Sequence, residues 1–208
     1  MIRLLISRYL IIAEAVLIFL ALSGGVAAAY ATGTYGSGSY GTCNYGVSCS
    51  ISLTSNGTVS LNVTPSGGGK CTIQSDTASV LTDDTNGYTL TLADNTTNTS
   101  LVNGASSISA TTGSLATPAA LTSTSWGYRI DGLGSFGSGP TTAQTNVSPS
   151  STTFAAIKPS NLTADTIVSY SGAADPAINT TVWYGACADT SVPSGTYTTQ
   201  VVYTAVAN

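Results

Sequence analysis

Beyond Ala31 the apolar residues of this chain recur at every second position in short runs, and no stretch sustains a spacing of three to four. Side chains along a strand point alternately to opposite faces, so this pattern makes half-buried strands and leaves no apolar stripe for a helix. Ile51 and Leu53 alternate with Ser50, Ser52 and Thr54, and Val59, Leu61 and Val63 with Ser60, Asn62 and Thr64. Ser55-Asn56-Gly57 lies between them, and Asn-Gly between alternating runs predicts a hairpin. Folded structure is expected to begin near Gly46.

The pattern continues in pieces separated by turn formers. Pro65 to Gly69 reads as a loop, Cys71–Gln74 and Ala78–Thr82 as two extended runs, and Asp83 to Gly87 as a turn. Tyr88, Leu90 and Leu92 form a clean half-buried strand. Asp94 to Thr122 reads as a long loop or a pair of weak edge strands, with a short alternation at Ser107 to Ala110. Trp126, Tyr128 and Ile130 give another strand, and Gly132 to Ser150 another loop. Phe154–Ile157 and Thr166–Tyr170 are short candidates. Val182–Cys187 carries large or buried-type residues on both faces, which predicts a central strand. After the Pro193-Ser194-Gly195 turn, Tyr197, Val201, Tyr203 and Ala205 share one face. Eight or nine short strands separated by turns predict an all-β domain, an antiparallel β-sandwich of Ig-like or jelly-roll-like type, over 48–208. Its expected core anchors are Trp126, Trp183, Tyr88, Tyr203 and Phe154.

The start of the chain has a different chemistry. Arg3 and Arg8 precede an apolar run, Leu10 to Leu22, and Ser23 to Ala31 is a small-residue exit in which Gly24-Gly25 ends the helix. These are the parts of a secretory signal, with cleavage expected after Ala29 or Ala31. The alternative is an uncleaved anchor. A spanning helix needs roughly 20 apolar residues, which Leu10 to Tyr30 supplies only if Glu14 and the glycine pair are tolerated. In both readings, residues 1–31 hold one N-terminal hydrophobic helix that meets the membrane, and everything from Thr32 lies outside the cytoplasm. Residues 32–47 form a Gly/Ser/Tyr-rich linker with tyrosines at 35, 40 and 45. Such a segment serves as a flexible spacer, or as an adhesive tyrosine–glycine patch.

Composition narrows the functions. Only 7% of the 208 residues are charged. Setting aside Arg3, Arg8 and Glu14 leaves three basic and eight acidic residues, so nucleic acid is not an expected partner. Histidine is absent, which removes the commonest general base, the Ser-His-Asp and Cys-His arrangements and imidazole metal sites. No catalytic, metal or cofactor residue is expected. The four cysteines, Cys43, Cys49, Cys71 and Cys187, all follow the export segment, and an even number in an exported chain suggests disulfides. Cys43–Cys49 and Cys71–Cys187 is the favoured pairing, and free thiols are the alternative.

Three resemblances bear on location. Ser191-Val-Pro-Ser-Gly-Thr-Tyr-Thr-Thr-Gln-Val-Val-Tyr-Thr-Ala resembles the closing strand of bacterial cell-surface and fimbrial-type β-sandwiches. Asn86-Gly-Tyr-Thr-Leu-Thr-Leu, Ser125-Trp-Gly-Tyr and Val182-Trp-Tyr-Gly-Ala resemble exported surface proteins of reduced-genome bacteria. Lys70-Cys-Thr-Ile is similar to the first strand of fimbrial and spore-coat-U modules, although the next cysteine here is the distant Cys187. The resemblances imply an extracellular or cell-surface location and bring no activity with them.

The remaining motifs are weak. Asp83-Asp84-Thr85-Asn86-Gly87 offers oxygens but lacks the ligand spacing of a calcium loop, so it reads as a turn. Asp94, Asp131, Asp165, Asp175 and Asp189 are scattered without the spacing of a carboxylate pair. Sequons at Asn56, Asn62, Asn95, Asn98, Asn146, Asn161 and Asn179 arise readily in a Thr/Asn-rich chain. Three functions remain as expectations: a structural or adhesive surface protein, a fibre or surface-layer subunit joined through strand edges, and a carbohydrate-binding module or carboxylate glycosidase. A cell-surface protein or a polysaccharide is the expected partner.

Overall fold

The computed structural model describes residues 28–30 and 50–208. The described residues are all-β, with thirteen strands. In order these are β1 (Ala28–Tyr30), β2 (Ser50–Ser55), β3 (Lys70–Thr82), β4 (Tyr88–Asp94), β5 (Leu101–Asn103), β6 (Ser106–Ala110) and β7 (Ala119–Ala120). There follow β8 (Ser125–Arg129), β9 (Gln144–Val147), β10 (Thr153–Phe154), β11 (Asp165–Tyr170), β12 (Ala174–Ala188) and β13 (Val201–Ala207). Among them no helix is long and apolar enough to cross a membrane. Leu10–Leu22, Cys43, Cys49, Ala31 and the whole linker 32–47 lie outside the described residues, and Ala29 lies within β1.

The strands form a large sheet in the order β1-β2-β3-β12-β8-β6-β5, with β9 also on β3, a three-stranded sheet β11-β4-β13, and the small pair β10-β7. The large sheet is mixed, because β6 and β8 run parallel. This corrects the wholly antiparallel expectation. The parallel pair arises because the chain leaves the β5–β6 hairpin and returns through β7 before entering β8, which replaces a tight hairpin with a crossover. The segment Asp94–Thr122, expected as loop or weak edge strands, holds β5, β6 and β7, and Ile108 is its buried alternation point.

The Asn56-Gly57 hairpin does not form. Val59, Leu61 and Val63 are buried and their polar neighbours exposed, as the alternation requires, but residues 60–65 belong to no strand. β2 pairs instead with the end of β3, Ile51 opposite Thr82 and Ser55 opposite Ala78. The Asp76 carboxylate accepts the Asn56 N–H at 2.9 Å, so the chain turns away toward a tertiary acceptor. Thr72 then holds the extended segment by donating its hydroxyl to the Asn62 carbonyl at 2.6 Å.

β3 is one unbroken strand of 13 residues, although Cys71–Gln74 and Ala78–Thr82 read as two. Ser75-Asp76 looks like an interruption, and Asp76 is in fact fully buried in the strand's middle. β12 pairs with β3 along nearly its whole length and takes β8 on its other side. Val182–Cys187 is therefore central, as its two-sided pattern predicts. The last strand begins at Val201; Tyr197 is buried ahead of it.

The main core combines residues of both larger sheets, including Val80, Trp126, Val182 and Tyr184 with Leu90, Leu92 and Tyr203. A smaller cluster on the opposite face of β12 joins Cys71, Ile73, Leu121, Phe154, Trp183 and Cys187. Gly127 and Gly185 sit opposite each other on β8 and β12. A Cβ on Gly185 would lie 2.8 Å from the Phe154 ring, and one on Gly127 would lie 2.7 Å from the Ala155 carbonyl. The two bare backbones form the seat on which Phe154 packs. Cys71 and Cys187, directly opposite across β3 and β12, form a disulfide spanning 116 residues. All five expected core aromatics are buried.

Candidate functional site

An open groove of about 480 Å³ lies where the chain after β4 meets the chain before β13. It is lined by Thr96, Thr97, Asn98, Ser100, Val102, Thr198, Thr199 and Gln200. Two strand ends build it. Val102 and Thr198 exchange backbone hydrogen bonds of 2.9 and 3.0 Å, which joins β5 to the segment leading into β13. Beneath the lining, the buried Asp94 carboxylate accepts the Thr96 N–H and hydroxyl on Oδ1 and the Thr199 hydroxyl at 2.7 Å on Oδ2. Asn95 donates its amide to Gln200 Oε1 at 2.8 Å. The walls carry hydroxyls and amides with no charged or aromatic group, chemistry that suits hydrogen bonding to a neutral polar partner.

Several ionisable side chains lie inside the fold, Asp76, Asp84, Asp94, Asp165 and Arg129 among them. Tyr184 on β12 and Tyr203 on β13 share a hydrogen bond of 2.7 Å between their buried hydroxyls. Asp76 lies beside Tyr203, with Oδ1 taking the Asn56 and Thr77 N–H groups, and no donor reaches Oδ2 at hydrogen-bonding geometry. Burial holds the Asp76 carboxyl above its usual range, against the opposing effect of those two N–H donors. Burial likewise pushes the Tyr184 and Tyr203 phenols up. Tyr128 on β8 donates to Asp165 Oδ2 on β11 at 2.7 Å, and its phenol is raised by burial first and by that carboxylate second. Both pairs therefore run from the large sheet to the three-stranded one.

Arg129 is buried at 1% exposure. It donates to the Thr153, Phe136 and Gly137 carbonyls and to Asp131 Oδ1, and its guanidinium lies 5.7 Å from the Phe136 ring centre. The group thus organises the loop after β8.

Asp83-Asp84-Thr85-Asn86-Gly87 is a turn. Asp83 accepts the Ser50 N–H at 2.7 Å and Asp84 accepts the Asn86 N–H at 2.8 Å. Asp189 is held below the usual carboxylate range by the Ser191 hydroxyl and amide and the Ser123 hydroxyl. Among the described residues no group of three His, Cys, Asp or Glu side chains could hold a metal. Sequence reasoning passed over Asp76, because a lone aspartate between Ser75 and Thr77 resembles any surface polar residue. Its only signal was that it shares the phase of Ala78 and Val80 in the apolar run that follows. Both tryptophans are buried, as are five of the six tyrosines from Tyr88 onward, so no row of exposed aromatics exists among the described residues.

The described residues therefore define an all-β fold with mixed sheets, a groove lined mainly by polar side chains, and several ionisable groups committed to internal partners. Comparison with protein-family models, with curated proteins and with solved structures found no match for it.

Proposed function

We propose that this chain is an exported, surface-exposed protein with a structural or adhesive role and no catalytic chemistry. The supporting observation is where its reactive groups are spent. Asp76, Asp94, Asp165, Arg129, Tyr128 and Tyr184 all bind other parts of the fold, and the groove offers neutral hydroxyls and amides beside the apolar Val102. The export reading of residues 1–31 gives the location, with the membrane met through that segment. The two larger sheets, facing each other over one core and joined by Tyr128–Asp165 and Tyr184–Tyr203, are read as a sandwich of Ig-like or jelly-roll-like kind. A cell-surface protein is the favoured partner. A carbohydrate platform has lost its main support, since the tryptophans that would stack on sugar rings are buried. Immunolabelling of intact cells tests the proposal: surface label is expected, and label that appears only after the cells are opened would overturn it.

A second reading, a subunit of a surface layer or fibre, is favoured by the strand edges. Filaments or sheets in electron micrographs of the purified chain would move the assignment there.

A further inference from the structure

Strand edges are sites where another chain can add, and proteins blunt them with bulges, charges or coverings. Most edges among the described residues are treated in this way. β5 is closed by the paired bonds between Val102 and Thr198. β11 has a bulge between Thr166 and Val168. β9 is short, irregular in register, and carries Asn146 at φ 53°. β13 lies against β2 and β3.

β2 differs. Ser50-Ile51-Ser52-Leu53-Thr54-Ser55 has no charge, no proline and no break in its register with β3. Among the described residues its outer edge pairs only with the three residues of β1, Ala28 opposite Ser52 and Tyr30 opposite Ser50, and β13 touches β2 without pairing with it. β1 therefore demonstrates that this edge takes an antiparallel strand. It is also supplied by the segment in which signal cleavage is expected, and a cut after Ala31 removes all of it.

We infer that the β2 edge is a self-association site, covered by Ala28–Tyr30 in the uncut chain and paired with β2 of a second copy once that segment is gone. The choice of partner follows from the strand itself. Polarity about Ser52 is palindromic: Ile51 and Leu53 flank it, then Ser50 and Thr54. An antiparallel two-fold pairing centred on Ser52 sets Ile51 against Leu53 of the other copy and keeps both on the core face, as an isologous contact requires. Leu81, across from Ser52 on β3 and on the same outer face, is 43% exposed, so the solvent face beside this edge also carries an apolar side chain. The inference rests on the export reading for its biological setting, while its test does not, because the cut chain can be made directly.

The experiment compares the chain starting at Thr32 with the full chain in detergent micelles, by sedimentation across a wide concentration range. The chain from Thr32 keeps every core residue among the described ones, the first of which is Ile51. It is expected to dimerise, and the full chain to stay monomeric. In the shorter chain, S52K alone and S52E alone should each be monomeric, because like charges then meet directly across the two-fold. Mixing the two variants should restore a dimer containing one of each. A monomeric shorter chain, undiminished dimers of either single variant, or a dimeric full chain would overturn the inference. None of these outcomes alters the surface-labelling result.

Discussion

Asp76 keeps a carboxylate at the centre of β3, where loss of solvation raises its pKa although two backbone N–H groups bind it. A group that holds its proton more tightly folded than unfolded contributes most below the unfolded aspartate range. That contribution is lost as pH rises through the folded value. The stability difference between wild type and D76N is therefore expected to move against wild type from acid to neutral pH, as read by urea denaturation at successive pH values. Tyr128 gives a second prediction. Y128F leaves Asp165 Oδ2 without its 2.7 Å donor, and a loss of about 1–3 kcal/mol is expected in the same assay. These residues show how far side-chain identity reveals a role. Tyr88, Trp126 and Tyr203 were recognisable as core from alternation alone. The hydroxyl and carboxylate partners were not, because Tyr128 and Asp165 are 37 residues apart and nothing local ties them.

At the scale of elements, the period-two pattern carried most of the information. β4 buries Tyr88, Leu90, Leu92 and Asp94 in strict alternation, and β12 is buried on both faces from Val182 onward. The failures share one cause, competition from distant partners. Asn56-Gly57 is a good local hairpin signal, yet β3 offers β2 a longer apolar partner and Asp76 takes the Asn56 N–H. Ser75-Asp76 looks like a break, yet β12 pairs straight through it, Trp183 opposite Ser75 and Val182 opposite Asp76. The seat for Phe154 supplies a test of element packing. G185A would put a methyl 2.8 Å from the Phe154 ring and 3.0 Å from Leu121 Cδ1. A loss of about 1–3 kcal/mol is expected from such overpacking, measured as a lowered midpoint of thermal unfolding.

For the molecule as a whole, the all-β class was legible, and the order of strands was not. Strand order is set by which apolar faces meet across more than a hundred residues, and β3 meets β12 at such a distance. The Cys71–Cys187 pairing was foreseen, but its position on adjacent strands was not. Closing a loop of 116 residues removes unfolded-state freedom worth about 4–5 kcal/mol in the chain-entropy account. The C71A/C187A variant is expected to unfold at lower urea with a steeper denaturant dependence, as its unfolded chain exposes more surface. The same bond also sets how the molecule bears tension. When the chain is pulled from its two ends, force entering at Cys71 crosses directly to Cys187. The residues between them, about 400 Å of extended backbone, lie outside the line of force. Only the flanking segments can pay out, so the Phe154 seat and the buried Tyr88, Tyr128 and Tyr184 sit inside a mechanically protected loop, while Tyr203 and the Thr198–Gln200 wall of the groove lie on the flank that yields. For a domain tethered at one end and gripped at the other, that bond lets the flanks stretch while the loop inside it keeps its length.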